Sequence, residues 1–418
     1  MKTKNLIKKS NHCLICKSKK LIKYLDLGRT ALVNSYLTKE ELNKPELRVL
    51  LEVYYCQNCH LCQLLHIIDK NLLFTKYAYF SSTSPQSVQH FDQYAQEVVK
   101  RFPAQAKKLV LEIASNDGVL LKPLKARGAK VLGIDPAKNV AEVANKEGIE
   151  TIPDFFNKNT ARKILQKYGK AGIITANNVL AHTDDIHNIL EGVKQLLDKR
   201  GVFIFQVKYL GDLLTRNEFD TTYHEHISYF SLAPLIFLLE KHGLKIFDVK
   251  RVEPEGGSLR VYASHAPLLF PVRKSVNSFL KKERAQGLNR LQTYLDFTKR
   301  PEMVKEKLCK MLTGLKRQGK KIAGYGASGK GNTLLQYCEI TPEILDYITD
   351  NTPSKQGKYT PGTHIPIVPP TQLRKDTPDY ILLLAWNYAD DIIKREKWFL
   401  EQGGKFIIPI PEPKIIQR

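Results

Sequence analysis

The sequence predicts an α/β protein with a small cysteine-rich module at its amino terminus, followed by two Rossmann-like units. Three observations lead to this fold class. Two CxxC pairs lie within the first 60 residues, a strand–turn–helix–strand pattern begins at Lys108, and a second such pattern begins at Lys321. Strands that alternate with helices are typical of a doubly wound parallel sheet, which binds its ligands at the carboxyl ends of the strands.

The length of the chain indicates more than one domain. A chain of 418 residues is too long for a single hydrophobic core. We expect three domains, at residues 1–80, 81–270 and 271–418. The third begins with amphipathic helices between Arg273 and Lys320, which form a connector.

The composition excludes a disordered chain, because 43% of the residues are hydrophobic and 9% are aromatic. The charge is unusual, since 65 Lys and Arg face 42 Asp and Glu and leave a net charge of +23. Such a surplus is compatible with nucleic acid, an anionic membrane or a phosphorylated substrate, but it carries no information about the fold.

The amino-terminal segment does not resemble a signal peptide. Its first 25 residues contain eight lysines, no acid and no apolar core. The longest apolar stretch, Tyr380–Trp386, is too short to cross a bilayer. We therefore expect a cytoplasmic protein without a membrane partner.

The cysteines predict a zinc site. In a reducing compartment, CxxC pairs are more typical of metal ligands than of disulfides. Each two-residue gap lets two thiolates reach one ion, and two such pairs complete a tetrahedral set. The predicted ligands are Cys13, Cys16, Cys56 and Cys59, with His60 and Cys62 as spare candidates. Because a closed set of four thiolates has no open position for a reactant, we interpret this zinc as structural.

The middle unit begins with a buried strand at 109–113, a turn at 114–118 and a second strand at 130–135. The turn lacks the G-x-G-x-x-G pattern of a dinucleotide site. Glu112 in the first strand and Asp135 at the tip of the second suit S-adenosylmethionine instead. A turn that binds no cofactor is the alternative.

Each group of this turn has a predicted role toward the cofactor. Asp135 is expected to hydrogen-bond both ribose hydroxyls. The backbone N–H groups of Asp117 and Gly118 are expected to face the methionine carboxylate at a helix N-terminus.

Two later segments are rich in polar side chains. Thr175–Asp185 follows the third strand of the unit, and Asp220–His226 follows the fourth. Burying so many polar groups requires many partners, so they are seldom core filling. A metal site or a solvated loop is possible for the second segment, but acid–base chemistry is favoured.

The carboxy-terminal unit contains Gly324, Gly326 and Gly329 in a G-x-G-x-x-G arrangement after a strand, with Asp350 at the tip of the next strand. The same stretch nearly matches a Walker A loop, although Gly331 follows Lys330. A turn that donates N–H groups to a diphosphate and glycines that serve only tight packing are equally compatible with this pattern.

Several motifs in a fixed order carry a family resemblance. They are the double CxxC with Cys59-x-Leu-x-Gln63, 77–82 (YAYFSS), 111–118 (LEIASNDG), 178–182 (NVLAH), 219–226 (FDTTYHEH), 256–262 (GGSLRVY), 324–331 (GYGASGKG) and 355–366 (KQGKYTPGTHIP). In this order the chain resembles the sugar C-methyltransferases of deoxysugar biosynthesis over nearly its whole length. The resemblance implies a zinc-binding domain, a class I methyltransferase domain that uses S-adenosylmethionine, and a Rossmann-like domain that faces a nucleotide-linked 4-keto-6-deoxyhexose, typically methylated at C3.

The resemblance also assigns residues. The predicted catalytic residues are Tyr223, Glu225, His226 and one or both of Tyr77 and Tyr79. The predicted cofactor-binding residues are Glu112, Ala114, Asn116, Asp117, Gly118, Asp135, Asn178 and His182. The predicted substrate-binding residues are His224, Arg260, Gly326, Ser328 and Lys330.

The chemistry explains the catalytic set. A ketone at C4 acidifies the hydrogen on C3, and an imidazole suits the base that removes it, because histidine titrates near neutrality. We assign this base to His226, oriented or polarised by Glu225. Tyr223 and a tyrosine at 77 or 79 are expected to donate hydrogen bonds to the enolate oxygen.

Three departures from the family pattern bear on the substrate. Ala114 replaces a usual glycine, which is a mild change where its φ is negative. Gln206 stands where glutamate is common, and Glu255 stands where histidine is common. The last two leave the sugar and the methylated position open.

Two other enzyme classes compete with this interpretation. The first is an RNA methyltransferase, but Asn177-Asn-Val-Leu180 is not the Asn/Asp-Pro-Pro-aromatic loop of base N-methylation, and the middle domain has no cysteine for pyrimidine C5 chemistry. The second is an NAD(P)-dependent nucleotide-sugar oxidoreductase, which leaves Tyr223–His226 unexplained. We therefore expect a small-molecule substrate, no nucleic acid, and a monomer or weak homo-oligomer.

Overall fold

The computed structural model describes residues 6–75, 80–83, 85–253 and 256–417. The chain forms two compact units. Unit 1 comprises Met1–Ile22, Tyr55–Gly211 and Ile227–Arg290, and unit 2 comprises Lys23–Tyr54, Asp212–His226 and Leu291–Arg418. Each unit is assembled from separate stretches of chain, and the domain boundaries at residues 80 and 270 stay a prediction.

The strands, in chain order, are β1 Ile7–Lys9, β2 Leu21–Ala31, β3 Arg48–Cys56, β4 Cys62–Leu64, β5 His66–Ile68, β6 Leu109–Ile113, β7 Lys130–Ile134, β8 Thr151–Ile152, β9 Ala171–Asn177, β10 Leu197–Lys208, β11 Ser228–Tyr229, β12 Leu244–Val252, β13 Ser258–His265, β14 Ile322–Tyr325, β15 Ile348–Thr349, β16 Ile367–Val368, β17 Tyr380–Leu383, β18 Lys405–Ile408 and β19 Lys414–Ile416.

The α-helices are α1 Lys70–Phe74, α2 Pro85–Arg101, α3 Pro103–Ala106, α4 Leu121–Ala126, α5 Lys138–Lys146, α6 Lys158–Tyr168, α7 Ile186–Leu196, α8 Leu210–Thr215, α9 Leu232–Lys241, α10 Lys274–Ala285, α11 Leu291–Phe297, α12 Lys299–Arg317, α13 Gly329–Tyr337, α14 Thr371–Asp376, α15 Ala389–Arg395 and α16 Lys397–Glu401. Among the described residues, no helix combines the length and the apolarity needed to cross a membrane.

Unit 1 contains a seven-stranded sheet in the order β12-β13-β10-β9-β6-β7-β8. Strands β6 to β10 pair in parallel, whereas β13 runs antiparallel to both of its neighbours. All five residues of β6 are buried, as expected for a strand covered on both faces by helices. The predicted Rossmann-like α/β fold of this unit is confirmed.

The register of this sheet brings polar positions together. Glu112 lies opposite Thr175 of β9, and Gln206 lies opposite both Asn177 of β9 and Arg260 of β13. All of them except Arg260 lie toward the carboxyl ends of parallel strands, the edge at which such sheets bind ligands.

Unit 2 contains a six-stranded sheet in the order β16-β15-β14-β17-β18-β19. Its strands pair in parallel except for β19, which is antiparallel to β18. This agrees with a second Rossmann-like unit. The strand predicted to end at Asp350 is short, since only the two residues of β15, Ile348–Thr349, pair with neighbouring strands.

Candidate functional site

Four cysteine thiols of unit 1 form the predicted metal cluster. The sulfurs of Cys13, Cys16, Cys56 and Cys59 all lie within 4.8 Å of one another. The Cys13–Cys59 and Cys16–Cys56 pairs are both 3.5 Å apart. Four thiolates around zinc lie about 3.8 Å apart, given Zn–S bonds of about 2.3 Å. The donor set therefore fits a tetrahedral zinc ion.

The candidate cofactor turn begins at Glu112, which is 3% exposed. One carboxylate oxygen accepts a hydrogen bond of 2.9 Å from the Asn177 side chain, and the other is buried without a hydrogen-bond partner among the described residues. Burial, together with the smaller effects of nearby Asp135 and Asp117, raises the pKa of Glu112 to about 8 despite the hydrogen bond from Asn177. An acid in this setting favours a cationic ligand.

The carboxylate of Asp135 organises the turn. Its two oxygens accept hydrogen bonds of 2.9 Å from the backbone N–H groups of Asn116 and Ala137. Burial raises the pKa of Asp135 despite these donors. Asp135 directly follows β7, which is the position at which the sequence predicted an acid that binds the ribose.

The two backbone donors predicted to face the methionine carboxylate are occupied within the turn. The Asp117 N–H donates to the Asn116 side chain over 2.9 Å, and the Gly118 N–H donates to the Ser115 carbonyl over 3.0 Å. The reason is local, because Gly118 has a φ of +79° and folds the chain back. Helix α4 begins only at Leu121, so these N–H groups are not at its first turn.

A serine pair anchors the chain to this turn. The Ser81 N–H donates to the Asn116 side chain over 2.9 Å, and Ser82 donates to the Asp117 carboxylate through both its N–H and its hydroxyl. Tyr77 and Tyr79, which were predicted catalytic, lie outside the described residues, as does Glu255.

Ala114 has a φ of +54°, so the condition under which replacing glycine is mild is not met. A left-handed conformation costs a non-glycine residue about 1–2 kcal/mol, and a glycine variant avoids this cost. The unfolded glycine variant has greater conformational freedom, however, which cancels about 0.4–1 kcal/mol of the gain. We expect Ala114→Gly to raise the free energy of unfolding by about 0.5–1 kcal/mol, measured by chemical denaturation.

Ala137→Gly is the matched control for this prediction. Ala137 has a φ of −78°, so the control is expected to lose stability. A loss of stability in Ala114→Gly as well would contradict the strain.

The predicted substrate residue Arg260 is committed to the protein interior. Its Nε and one terminal nitrogen donate to Gln206 over 3.2 Å, and the other terminal nitrogen bonds Glu97 over 3.1 Å. The guanidinium also stacks 3.5 Å from the Tyr94 ring. Contacts from α2 and β10 thus hold the guanidinium in place, and the substrate-binding role of Arg260 stays a prediction.

Arg260 is the last member of a series of polar side chains that are hydrogen-bonded to one another. The Gln206 amide donates to Asn177 over 3.0 Å, and Asn177 donates to Glu112 over 2.9 Å. Gln206, which departs from the family pattern, thus connects Arg260 with the cofactor acid. Neither Asn177 nor Glu97 was singled out in the sequence, because only the folded sheet brings them together.

Asn178 and His182 lie just beyond β9. Asn178 has a φ of +56° and its N–H donates to the Gln206 carbonyl over 2.9 Å. The His182 and Phe74 rings pack edge to face with their centroids 5.8 Å apart. Burial lowers the pKa of His182 to about 4. His182 is therefore neutral at physiological pH.

The candidate catalytic histidine lies in unit 2. The His226 ring is half-buried, and its Nδ1 hydrogen-bonds the Thr221 carbonyl over 2.7 Å. Since a carbonyl only accepts, Nδ1 carries the hydrogen, and Nε2 is the nitrogen with a lone pair. The Tyr223 ring lies against this imidazole, with ring centroids 3.9 Å apart.

Glu225 was predicted to orient or polarise His226, and that role stays a prediction. Its carboxylate, 6% exposed, accepts a 2.6 Å hydrogen bond from the Asn34 side chain. The backbone carbonyl of Thr221 orients the imidazole through Nδ1. Asn34 is a residue that the sequence did not signal, since it is 191 positions away in the chain. His224, a predicted substrate residue, is 2% exposed.

Two glycines of the carboxy-terminal turn leave no space for a side chain. Gly326 needs its positive φ of +87°, and a Cβ there would lie 2.7 Å from the Ala385 side chain. A Cβ at Gly331 would likewise lie 2.7 Å from the Leu384 side chain. Ser328 caps α13, because its hydroxyl accepts the Gly331 N–H over 3.0 Å. Tight packing therefore explains Gly326 and Gly331.

Lys330 differs from the other groups of this turn. Its Nζ is buried and has no hydrogen-bond partner among the described residues. It lies 5.5 Å from the Trp386 ring centroid, and the Trp386 indole N–H donates to Asp220 over 2.6 Å. A buried ammonium group without a hydrogen bond favours an anionic ligand.

The strand order of unit 1 and the acids at its ligand-binding edge define a class I methyltransferase domain. Family models agree and match residues 88–249 as "Methyltransferase domain", 13–74 as "Putative zinc binding domain" and 253–411 as "C-methyltransferase C-terminal domain".

Among curated relatives, the chain is 40% identical to the C-methyltransferase NovU of Streptomyces niveus over 99% of this chain and 98% of that protein. The chain therefore belongs to the C-methyltransferase family, and it is an enzyme. The predicted S-adenosylmethionine and zinc agree with this membership.

Other similarities cover less of the chain. The ubiquinone biosynthesis O-methyltransferase of Colwellia psychrerythraea is 26% identical over 34% of this chain and 63% of its own length. The crystal structure of magnesium protoporphyrin IX methyltransferase from Synechocystis with bound SAH aligns with a TM-score of 0.34 at 18% identity, over 43% of this chain and 83% of that one.

Proposed function

We propose that the protein methylates a carbon next to a ketone in a nucleotide-linked 4-keto-6-deoxy sugar, at C3, with S-adenosylmethionine as the donor. The observation that carries the proposal is the imidazole of His226. It is half-buried, and its Nδ1 is hydrogen-bonded to the Thr221 carbonyl, which makes Nε2 the nitrogen that accepts a proton. Membership of a C-methyltransferase family supports transfer to carbon.

The proposed reaction begins with proton removal. The C4 ketone acidifies the C3 hydrogen, and His226 Nε2 takes that proton as the general base. Negative charge moves to the ketone oxygen, where the Tyr223 hydroxyl donates a hydrogen bond. When bound, S-adenosylmethionine would supply the electrophilic methyl group. The new bond to C3 would form as the methyl–sulfur bond breaks, and the sulfur would leave as the neutral thioether S-adenosylhomocysteine. The proton is held on His226 until the product leaves.

The acids of unit 1 support the choice of methyl donor. S-adenosylmethionine carries a sulfonium and an ammonium group, and both are cations. Glu112 and Asp117 each keep one buried carboxylate oxygen without a hydrogen-bond partner among the described residues. A cationic ligand compensates the negative charge of buried carboxylates.

The Asp135 side chain is proposed to bind the ribose. We expect Asp135→Asn to weaken S-adenosylmethionine binding by about 10- to 100-fold, because a charged acceptor is lost, measured by isothermal titration calorimetry. Asp154→Asn, at an exposed carboxylate of the same unit, is the matched control and is expected to bind normally. An unchanged dissociation constant in Asp135→Asn would refute the ribose role.

Lys330 supports a substrate that carries a diphosphate. Its buried ammonium group is close to the Trp386 ring and has no hydrogen-bond partner among the described residues. We propose that phosphate oxygens of the nucleotide sugar occupy this position. The other proposed properties are a cytoplasmic location, no nucleic-acid partner, and a monomer or weak homo-oligomer.

The proposal is tested by mass spectrometry of the nucleotide sugar. The protein is incubated with S-adenosylmethionine and with 4-keto-6-deoxyhexoses attached to two different nucleotides. One added methyl group on either sugar supports the proposal and identifies the nucleotide. If every keto sugar stays unmethylated while the cofactor binds, the substrate class is wrong, and RNA becomes the next substrate to test.

A further inference from the structure

The loop that follows β2 is fixed to helix α13 by two side-chain amides. Gln336 both donates to the Ala31 carbonyl and accepts from the Ala31 N–H, over 3.3 and 2.6 Å. Asn332 donates to the Val33 carbonyl over 2.7 Å. All of these residues belong to unit 2. The loop is therefore held from the helix that begins with the glycine turn.

The next residue of this loop is Asn34. Its side-chain oxygen faces Gly329, where a Cβ would lie 3.6 Å away. Its side-chain nitrogen donates to the Glu225 carboxylate over 2.6 Å. A Cβ at Gly329 would be in ordinary van der Waals contact with this oxygen, so Asn34 lies against the start of α13 while its amide nitrogen points at Glu225.

We propose that Asn34 is a positioning residue, whose amide fixes the ionised Glu225 carboxylate in the geometry with which Glu225 is predicted to polarise His226 for proton transfer. The inference rests on the proposed function and extends it to a residue outside the Tyr223–His226 cluster. The donor, the acceptor and the helix that holds them all belong to unit 2.

The electrostatics of Glu225 give Asn34 a specific effect. Burial raises the pKa of Glu225 to about 7, and the hydrogen bond from Asn34 acts in the opposite direction. The titratable groups beside Glu225 are Tyr36, which is on the same loop as Asn34 and whose pKa Glu225 raises, and Tyr223 and His226 on its own segment. The hydrogen bond from Asn34 is the interaction that favours the ionised carboxylate.

The sign of the pH effect follows from this arrangement. A carboxylate that must be ionised gives an activity that falls as the pH drops through its pKa. Removing the amide donor raises that pKa further, so the acid limb of the profile moves to higher pH. A hydrogen bond to a charged group corresponds to a displacement of about 1–2 pH units.

The test compares pH–rate profiles of the full-length protein with S-adenosylmethionine and the accepted keto sugar. We expect Asn34→Ala and Asn34→Asp to lose kcat near neutrality, to keep KM for the cofactor, and to regain kcat at higher pH. Ser35→Ala, at the exposed neighbouring residue, is the control and should match the wild type. In a Glu225→Gln background, Asn34→Ala should have no further effect.

An equal loss of kcat at every pH, or an unchanged profile, would overturn the positioning role. Infrared difference spectra provide a readout that needs no turnover. The carboxylic acid band present in the wild type and absent in Glu225→Gln should persist to higher pH in Asn34→Ala. If the wild type methylates no keto sugar, the proposed function fails, and this titration still decides whether Asn34 controls the carboxyl group. A band that titrates at the same pH with and without Asn34 would refute the inference.

Discussion

Replacing His226 with alanine is expected to reduce methyl transfer by about 10²- to 10⁴-fold, the usual contribution of a positioned general base. The physical reason is that Nε2 is the nitrogen that receives the substrate proton, while Nδ1 is hydrogen-bonded to the Thr221 carbonyl. The affinity for S-adenosylmethionine should change by less than about twofold, because His226 acts on the substrate and is not among the candidate cofactor-binding residues. Single-turnover kinetics and calorimetry measure the two effects.

The matched control for this variant is His364→Ala. His364 belongs to the same unit and bonds Glu46 over 2.8 Å, so its loss should leave the chemical step intact. A His226→Ala protein that turns over at the wild-type rate would show that another group is the base. Loss of activity with an equally large loss of cofactor affinity would also contradict the assignment, because a base acts on the substrate.

The second large effect is expected at the cysteine cluster. Replacing Cys13 and Cys56 together with serine should remove about one zinc ion per chain, because each CxxC pair loses a thiolate. Metal binding to such a site contributes directly to folding. The cluster is also connected to the rest of unit 1, since the Ile15 carbonyl hydrogen-bonds His187 of α7 over 3.1 Å. We expect the melting temperature to fall by roughly 10 °C.

The metal content is measured by inductively coupled plasma mass spectrometry, and the stability by differential scanning calorimetry. Cys309→Ser is the control, because Cys309 lies in α12 and outside the cluster. It should keep its zinc. A double variant that retains both zinc and its melting temperature would remove the structural site.

The local pattern was sufficient for the central strands of unit 1. Residues 109–113, which are apolar except for Glu112, form β6 as predicted, since a short and mostly apolar run is typical of a strand buried on both faces. Strand β13 was not predicted, although its glycine-led motif was noted. Its antiparallel place between β10 and β12 depends on pairing partners far away in the chain, which a local pattern does not contain.

The sequence predicted which residues belong to the site better than it predicted the contacts that those residues make. The cysteine spacing identified four sulfurs that do lie together, because two knuckles of fixed length have few other uses. The partners of Arg260 and Glu225 were not predicted, because Glu97 and Asn34 come from distant segments. Asn34 has no local signal, as a loop asparagine is common at any turn.

The measurement that tests the central claim most directly uses a 4-keto-6-deoxy sugar nucleotide that carries deuterium at C3. Our account predicts a product that has gained one methyl group and lost the deuterium, because His226 removes the C3 hydrogen before carbon is methylated. A product that gains a methyl group and keeps its deuterium would contradict the account, since the methyl group would then lie on oxygen or on another carbon.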